Sequence, residues 1–408
     1  LKRGYLSQYF EGVAVKHLSA VEADTLTSNQ HEFNGVESLR KILGEPDGKV
    51  RYPTRFLYLT DHDDEPIAED GFLTWYDARQ KARQEREVMR WEYRLYFPTN
   101  TVSQYANAGD VLVIAKQSDN TLIAIIAENG TTIARQIKWL FGFSNESHPG
   151  FSVREELETE QDRIEFVSRF ILENIGIIVD ATEETWLDDM LKKFNGIFPT
   201  TKIFSGYARS TLPDLSPHDG HDDVLMAWME REEILFRTFE KHLIGERLSQ
   251  GFTDDVDSFI SFSLSVQNRR KSRAGLALEN HLEILFQECG IRYTRTPVTE
   301  NKAKPDFIFP GSNEYHDPDY SSGLLTMLGV KSSCKDRWRQ VLSEADRIDS
   351  KHLLTLEAAI STNQTDEMQA KKLQLVVPKS LHITYQEQQQ MWLMGVADFT
   401  ELVSKKQL

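Results

Sequence analysis

The chain holds 408 residues (47.0 kDa), 40% hydrophobic and 27% charged. At about 150 residues per domain that suits two or three packed domains and excludes a disordered chain. Its 47 Lys and Arg stand against 63 Asp and Glu, a net charge of −16 that on its face argues against a nucleic-acid partner.

Two cysteines, Cys289 and Cys334, make no disulfide framework and suit a reducing cytoplasm. The longest clean apolar run, Leu122 to Ala127, is far short of the roughly 20 residues that a membrane helix needs, so no membrane partner is expected. Residues 1–150 read as a mostly β domain with short helices. Its strand-like runs are Phe56–Leu59, Tyr93–Phe97, Val111–Ile114 and Leu122–Ala127, the third preceded by a turn at Gly109-Asp110. Residues 79–94 carry six basic side chains, Arg79, Lys81, Arg83, Arg86, Arg90 and Arg94, interleaved with Trp91 and Tyr93. Such a stretch suits a DNA groove, although Glu85, Glu87 and Glu92 would equally lace a solvated surface.

Residues 153–193 hold 12 acidic against 5 basic residues in helix-like patterns. Much of the negative excess sits there, and residues 151–184 read as an acidic helical connector. The segment Leu212 to His221 is a loop by composition; His218 and His221 lack the neighbours that fix a tetrahedral metal site. From 185 to 408 an α/β domain with a central mixed sheet is expected. Its elements are an amphipathic helix over 223–262, a basic cluster (Arg269, Arg270, Lys271, Arg273) ended by Ala274-Gly275, and a helix from Leu276 to Gln287. Strands follow at Phe307–Phe309, Leu324–Ser332 and Leu373–Val377, with a helix over Lys335–Ile348. Charge by segment therefore says more than the total: the basic residues gather at 79–94, 269–273 and 331–339.

The chemistry lies in a carboxylate, a strand-borne lysine and a second carboxylate. Asp306 follows Pro305 at a strand start, and Lys331 comes 25 residues later near the end of the next strand. A carboxylate suits Mg²⁺, which takes oxygen ligands and keeps several waters. The lysine can orient the attacking water and offset phosphate charge. Singly these residues also read as a strand start, an edge lysine and, for Glu344, a solvated carboxylate.

Together they resemble the PD-(D/E)xK nuclease motif with one departure: the acid expected two residues before the lysine is Gly329. Glu344, 13 residues past Lys331 on the expected helix, is a replacement of the kind found in the CCGG-type branch of that superfamily. Three stretches, Asn268 to Glu279, Lys304-Pro305-Asp306-Phe307 and Val330 to Asp346, resemble the catalytic domain of EcoRII-type restriction endonucleases in order and spacing, across about residues 185–408. The resemblance implies Asp306 and Glu344 as metal-binding acids for Mg²⁺, Lys331 as the catalytic lysine and Glu279 as a further active-site acid. It implies Lys335, Asp336 and Arg337 as readers of outer G·C pairs, which fits guanine O6 and N7 acceptors and the cytosine N4 donor. It also implies a homodimer formed through the catalytic domain, acting on double-stranded DNA at CC-x-GG-type sites, flipping the central nucleotides and leaving five-base 5′ overhangs.

Residues 1–150 resemble the effector-binding pseudobarrel of the same family. Its contacts to effector DNA would fall on Lys16, His31, Arg79, Glu92 and Arg94, with Trp91 standing where the family has Asn. The family further implies that the N-terminal domain autoinhibits the catalytic one until effector DNA binds. Two alternatives are a modification-dependent or defence nuclease with an altered sensor domain, and a non-catalytic DNA-binding regulator.

Overall fold

The computed structural model describes every residue except 1–3, 24–30, 63–65, 87–90, 144–149, 165, 180–185, 254, 333–337 and 359. The chain divides into two compact units. One is Leu1–Val179 with Ala358–Thr362 and Thr384–Gln386; the other is Asp180–Glu357, Asn363–Ile383 and Glu387–Leu408.

The first unit is built on an eight-stranded sheet. Its strands are β1 (Phe10–His17), β2 (Glu32–Phe33), β3 (Lys49–Leu59), β4 (Ile67–Asp77), β5 (Tyr93–Tyr96), β6 (Val111–Gln117), β7 (Leu122–Ala127) and β8 (Ser152–Arg154). They lie in the order β2-β5-β4-β3-β7-β6-β1-β8, antiparallel throughout except for β3 beside β7. All of β7 is buried, as expected of a central strand covered on both faces. The sheet curls until its two edges approach: Ser38 Oγ donates to Phe151 O at 2.8 Å, beside β8, close in sequence to β2. Inside the curl lies one apolar core that includes Ala14, Phe33, Phe56, Leu73, Trp75, Leu95, Ile114 and Phe151. This is the mostly β architecture expected from the sequence.

The second unit is α/β. Helices α1 (Leu187–Phe194), α2 (Thr201–Ser210), α3 (His221–Gln250) and α4 (Val256–Glu288) precede the sheet. Its strands are β9 (Thr294–Arg295), β10 (Phe307–Phe309), β11 (Thr326–Lys331), β12 (Lys351–Thr355) and β13 (Leu373–Val376), in the order β13-β12-β11-β10-β9. The β9-β10-β11 pairs are antiparallel and the β11-β12-β13 pairs parallel, so the sheet is mixed, as expected. Phe286 of α4 meets Phe307 and Phe309 edge-on, with ring centroids 5.3 and 5.1 Å apart, which lays the helix against β10. Asp222, at the start of α3, accepts backbone hydrogen bonds from Lys379 (3.0 Å), Val396 (2.8 Å) and Ala397 (3.0 Å). One carboxylate thereby caps the helix α5 (Val396–Gln407).

Two expectations need correction. The long helices break at Gly251, not at Ala274-Gly275. Gly251 adopts φ 70° and its N–H bonds Leu248 O, while Asp255 caps the next helix through Ser258 N at 2.9 Å. Gly275 rides inside α4 at a cost of about 1 kcal/mol against alanine. The expected helix over Lys335–Ile348 is also shorter: within the described residues only Trp338–Val341 (α6) is helical, and a turn follows.

Candidate active site

Asp306 stands at the entrance to β10, and Lys331 is the last residue of its antiparallel neighbour β11. The register pairs Phe307 with Leu328 and so brings Asp306 level with the end of β11. Asp306 Oδ2 accepts from the Val330 backbone N–H at 2.6 Å and from Lys331 Nζ at 2.9 Å.

Glu344 reaches the same place by a different route. After α6, consecutive three-residue turns run Leu342 N–H to Arg339 O, Ser343 N–H to Gln340 O and Glu344 N–H to Val341 O. Ala345 then takes φ 54°, which ends the turn in the left-handed region. Burial raises the Glu344 carboxyl above its ordinary value and the negative charge of Asp306 adds to the rise, while Lys331 and Lys351 oppose it. Its Oε2 is buried without a hydrogen-bond partner among the described residues.

Gly329 explains why the acid sits there. A Cβ at Gly329 would lie 2.9 Å from Val341 Cγ2 and 3.6 Å from Leu353 Cδ1. The position two before the lysine is therefore filled by Val341, and the chain that carries Val341 delivers Glu344 three residues later.

Glu279 lies on α4, seven residues before Phe286 and so on the same face. Burial and then the charge of Asp306 raise its carboxyl, against the pull of Arg295 and Lys331. The structure thus brings Asp306, Lys331, Glu344 and Glu279 into one electrostatic neighbourhood. Sequence reasoning missed Arg295. From β9 its guanidinium donates to Glu279 Oε2 (2.9 Å), Asn280 Oδ1 (2.9 Å) and Glu283 Oε2 (3.0 Å). The spacing of Glu279 and Glu283, one helical turn apart, was the available hint of a shared cation.

The donors fit a hard divalent cation. They are carboxylates only, and one of them has a buried oxygen with no partner. Among the described residues no group of three His, Cys, Asp or Glu is close enough to enclose a metal by itself. Mg²⁺ needs no such cage, since one or two carboxylates with water and phosphate oxygens suffice. Lys335, Asp336, Arg337 and Cys334 lie outside the described residues. His221 is held by Thr400 Oγ1 (2.7 Å) and Cys289 Sγ (3.3 Å), and His218 lies exposed in the loop before it.

In the first unit, Arg79, Glu92 and Arg94 come together. Arg79 Nε donates to Glu92 Oε2 (2.5 Å), and Arg94 donates to Glu92 Oε1 (2.6 Å) and Glu32 Oε2 (2.8 Å). These two guanidinium groups hold the Glu92 carboxyl down at about 2. Tyr76 completes the set by donating to Glu32 Oε1 at 2.7 Å, and desolvation with the Glu32 bond pushes its phenol up to about 12. Glu32 and Tyr76 were not foreseen from the sequence. Three of the six basic residues are thus ion-paired: Arg83 also pairs with Asp77, while stacking over the Trp91 ring at 3.6 Å.

His31 stands beside this group, its ring edge-on to Tyr96 and Phe97 and its Nδ1 buried without a partner among the described residues. Lys16 does not join them. It is 3% exposed, and its ammonium donates to Glu22 Oε1 (2.7 Å) and Asn34 O (3.0 Å), so in this conformation it offers no charge to a ligand. An alternating strand pattern cannot reveal that β1 turns this lysine toward a buried carboxylate.

The mixed sheet thus sets Asp306 and Lys331 at adjacent strand ends, with Glu344 nearby on the turn after Val341. The resemblance to EcoRII-type restriction endonucleases is borne out by comparison. Residues 236–400 match the family model described as EcoRII C terminal. The type II restriction enzyme EcoRII of Escherichia coli is 45% identical over 179 residues, 44% of this chain and 44% of that enzyme. The chain thus aligns with less than half of that relative's length. Solved structures found to be similar include metal-depleted Ecl18kI in complex with uncleaved, modified DNA. Its TM-score is 0.44 at 18% identity, over 55% of this chain and 83% of that one. Another is the complex of restriction endonuclease PspGI with substrate DNA (TM-score 0.43, 17% identity, 51% of this chain and 93% of that one).

Proposed function

We propose that this chain is a Mg²⁺-dependent, type II site-specific endonuclease that hydrolyses phosphodiester bonds of double-stranded DNA in the cytoplasm at a short CC-x-GG-like site. The observation that carries this reading is the convergence of Asp306, Lys331 and the unpartnered buried carboxylate of Glu344. Asp306 and Glu344 would hold Mg²⁺, which supplies charge stabilisation for the phosphate and lowers the pKa of a nucleophilic water. Lys331, fixed by Asp306, directs its ammonium at the scissile phosphate and offsets the charge that develops there. Glu279, steadied by Arg295, contributes a further acid. Lys335, Asp336 and Arg337 read the outer base pairs.

Residues 185–408 form the catalytic domain in this reading. Residues 1–150 bind effector DNA through Arg79, Glu92, Arg94 and His31, with Glu32 and Tyr76 holding the two arginines in register. Residues 151–184 connect the two. The N-terminal domain restrains cleavage until effector DNA binds. Deleting residues 1–184 then raises or preserves cleavage, and a fall contradicts the restraint.

The catalytic domain works as a homodimer. Val256, Phe259, Ile260 and Leu264 form an exposed apolar stripe on α4, with acidic Asp255 and Asp257 at one end and Arg269 and Arg270 at the other. An antiparallel second copy of that helix would set acid against base at both ends and cover the stripe. The experiment for the activity is a Mg²⁺ plasmid-cleavage assay in which Lys331→Ala and Glu344→Ala abolish cleavage and keep DNA binding. A non-catalytic regulator would cleave with neither wild type nor variant.

A further inference from the structure

Resting on the nuclease reading, we propose that the loop Thr299–Pro305 is a preformed phosphate grip in which Lys302 and Lys304 hold the backbone of the DNA strand entering at Asp306. Lys331, Arg295 and Arg347 near the site each already hold a partner. Lys331 is paired with Asp306, and Arg295 with Glu279 and Glu283. The Arg347 guanidinium donates to the carbonyls of Tyr315, Asp317 and Tyr320. Lys302 and Lys304 are exposed, and neither pairs with a carboxylate among the described residues.

The loop that carries them is fixed. Thr299 N–H donates to Ala303 O at 2.9 Å and Ala303 N–H to Glu300 O at 3.0 Å. Between them Asn301 (φ 56°) and Lys302 (φ 60°) are both left-handed, a conformation that costs an ordinary residue about 1–2 kcal/mol and persists where the surroundings impose it. Glu300 imposes it. Its Oε2 accepts from Tyr315 Oη (2.5 Å), whose ring is buried, and from Asp346 N–H (3.2 Å). The same carboxylate therefore ties the approach to Asp306 to the turn that carries Glu344. Two lysines on a rigid loop, two and four residues before that aspartate, suit backbone phosphates, which they can neutralise without reading sequence.

Each phosphate neutralised by a lysine contributes about 0.9 to the slope of log binding constant against log salt on duplex DNA. The test measures binding of a 30-base-pair duplex of random sequence, and of the same length carrying CC-x-GG, between 50 and 200 mM salt in EDTA. For Lys302→Ala/Lys304→Ala the slope should shrink by about 1.8, equivalent to about 12-fold less affinity change across that range, on both duplexes alike. Lys302→Arg/Lys304→Arg should restore it, and the melting temperature should hold in both variants because both side chains are exposed. An unchanged slope in the alanine variant, alongside a wild type that cleaves with Mg²⁺, overturns the grip and leaves the nuclease reading standing. A wild type that neither binds the duplexes nor cleaves overturns both. Weakening confined to the CC-x-GG duplex overturns the grip, because it would mean base reading.

Discussion

Glu344→Gln should make the protein more stable and less active at once. The carboxylate of Glu344 is partly buried beside Asp306, with one oxygen unpartnered. Leaving a buried charged acceptor unmade costs about 1–3 kcal/mol. The amide removes the charge but keeps a polar group in the same place, so the gain should be about 1 kcal/mol, or about 2–4 °C in the melt of a unit this size. The sign with pH follows from the raised carboxyl. The cost of ionisation is present in full above the raised value, shrinks as pH falls toward the ordinary value near 4.5, and is gone below it. Glu344→Gln should therefore melt higher than wild type at pH 7.5 and level with it at low pH. Mg²⁺ should narrow the gap at pH 7.5, since ten times its Kd stabilises wild type by about 1.4 kcal/mol and the variant by less. Thermal melts at two pH values, with and without Mg²⁺, read all of this. A variant that melts below wild type at pH 7.5 without metal, or gains as much from Mg²⁺, would refute the reasoning.

Restoring an acid at the position two before the lysine should fail. Gly329→Glu drives its Cβ into Val341 and should cost about 1–3 kcal/mol of overpacking with no gain in cleavage; a wild-type melting curve would count against it. Asp222→Ala strips a carboxylate from three backbone N–H groups and should cost about 3 kcal/mol, lowering the melt by about 6–12 °C. A shift under 2 °C in the same assay would mean that these donors find other partners. Phe259→Asp/Leu264→Asp should turn a dimer into a monomer by light scattering, and an unchanged mass would remove α4 as the interface.

Much of the candidate site was legible because local pattern and chemistry agreed. Pro305-Asp306 marks a strand start, Leu324 to Ser332 reads as an apolar strand, and the lysine lies at its end. The strands of both units were legible for the same reason, since the apolar runs of β7, β10 and β13 need no partner to be seen. Glu344 was singled out on an expected helix, and the structure places it on a turn instead. A helix over 335–348 is what the side chains favour, and nothing in alanine announces that Ala345 takes a left-handed φ. Arg295 was missed because its partners lie on α4, a contact that only folding creates. β12 begins Lys351-His352, both buried, and so hides its strand behind polar letters. Lys16 was drawn from the family resemblance, which does not show that the fold buries its ammonium against Glu22.

The central claim is that Asp306, Lys331 and Glu344 cut DNA. Its most direct test is single-turnover cleavage of a plasmid carrying CC-x-GG sites, with Mg²⁺ and with EDTA, by wild type and by Lys331→Ala. Cleavage by wild type only with Mg²⁺, lowered at least about 10²-fold in the variant at unchanged DNA affinity, is the expected result. Equal cleavage by both proteins, or none by wild type at any Mg²⁺ concentration, would contradict it.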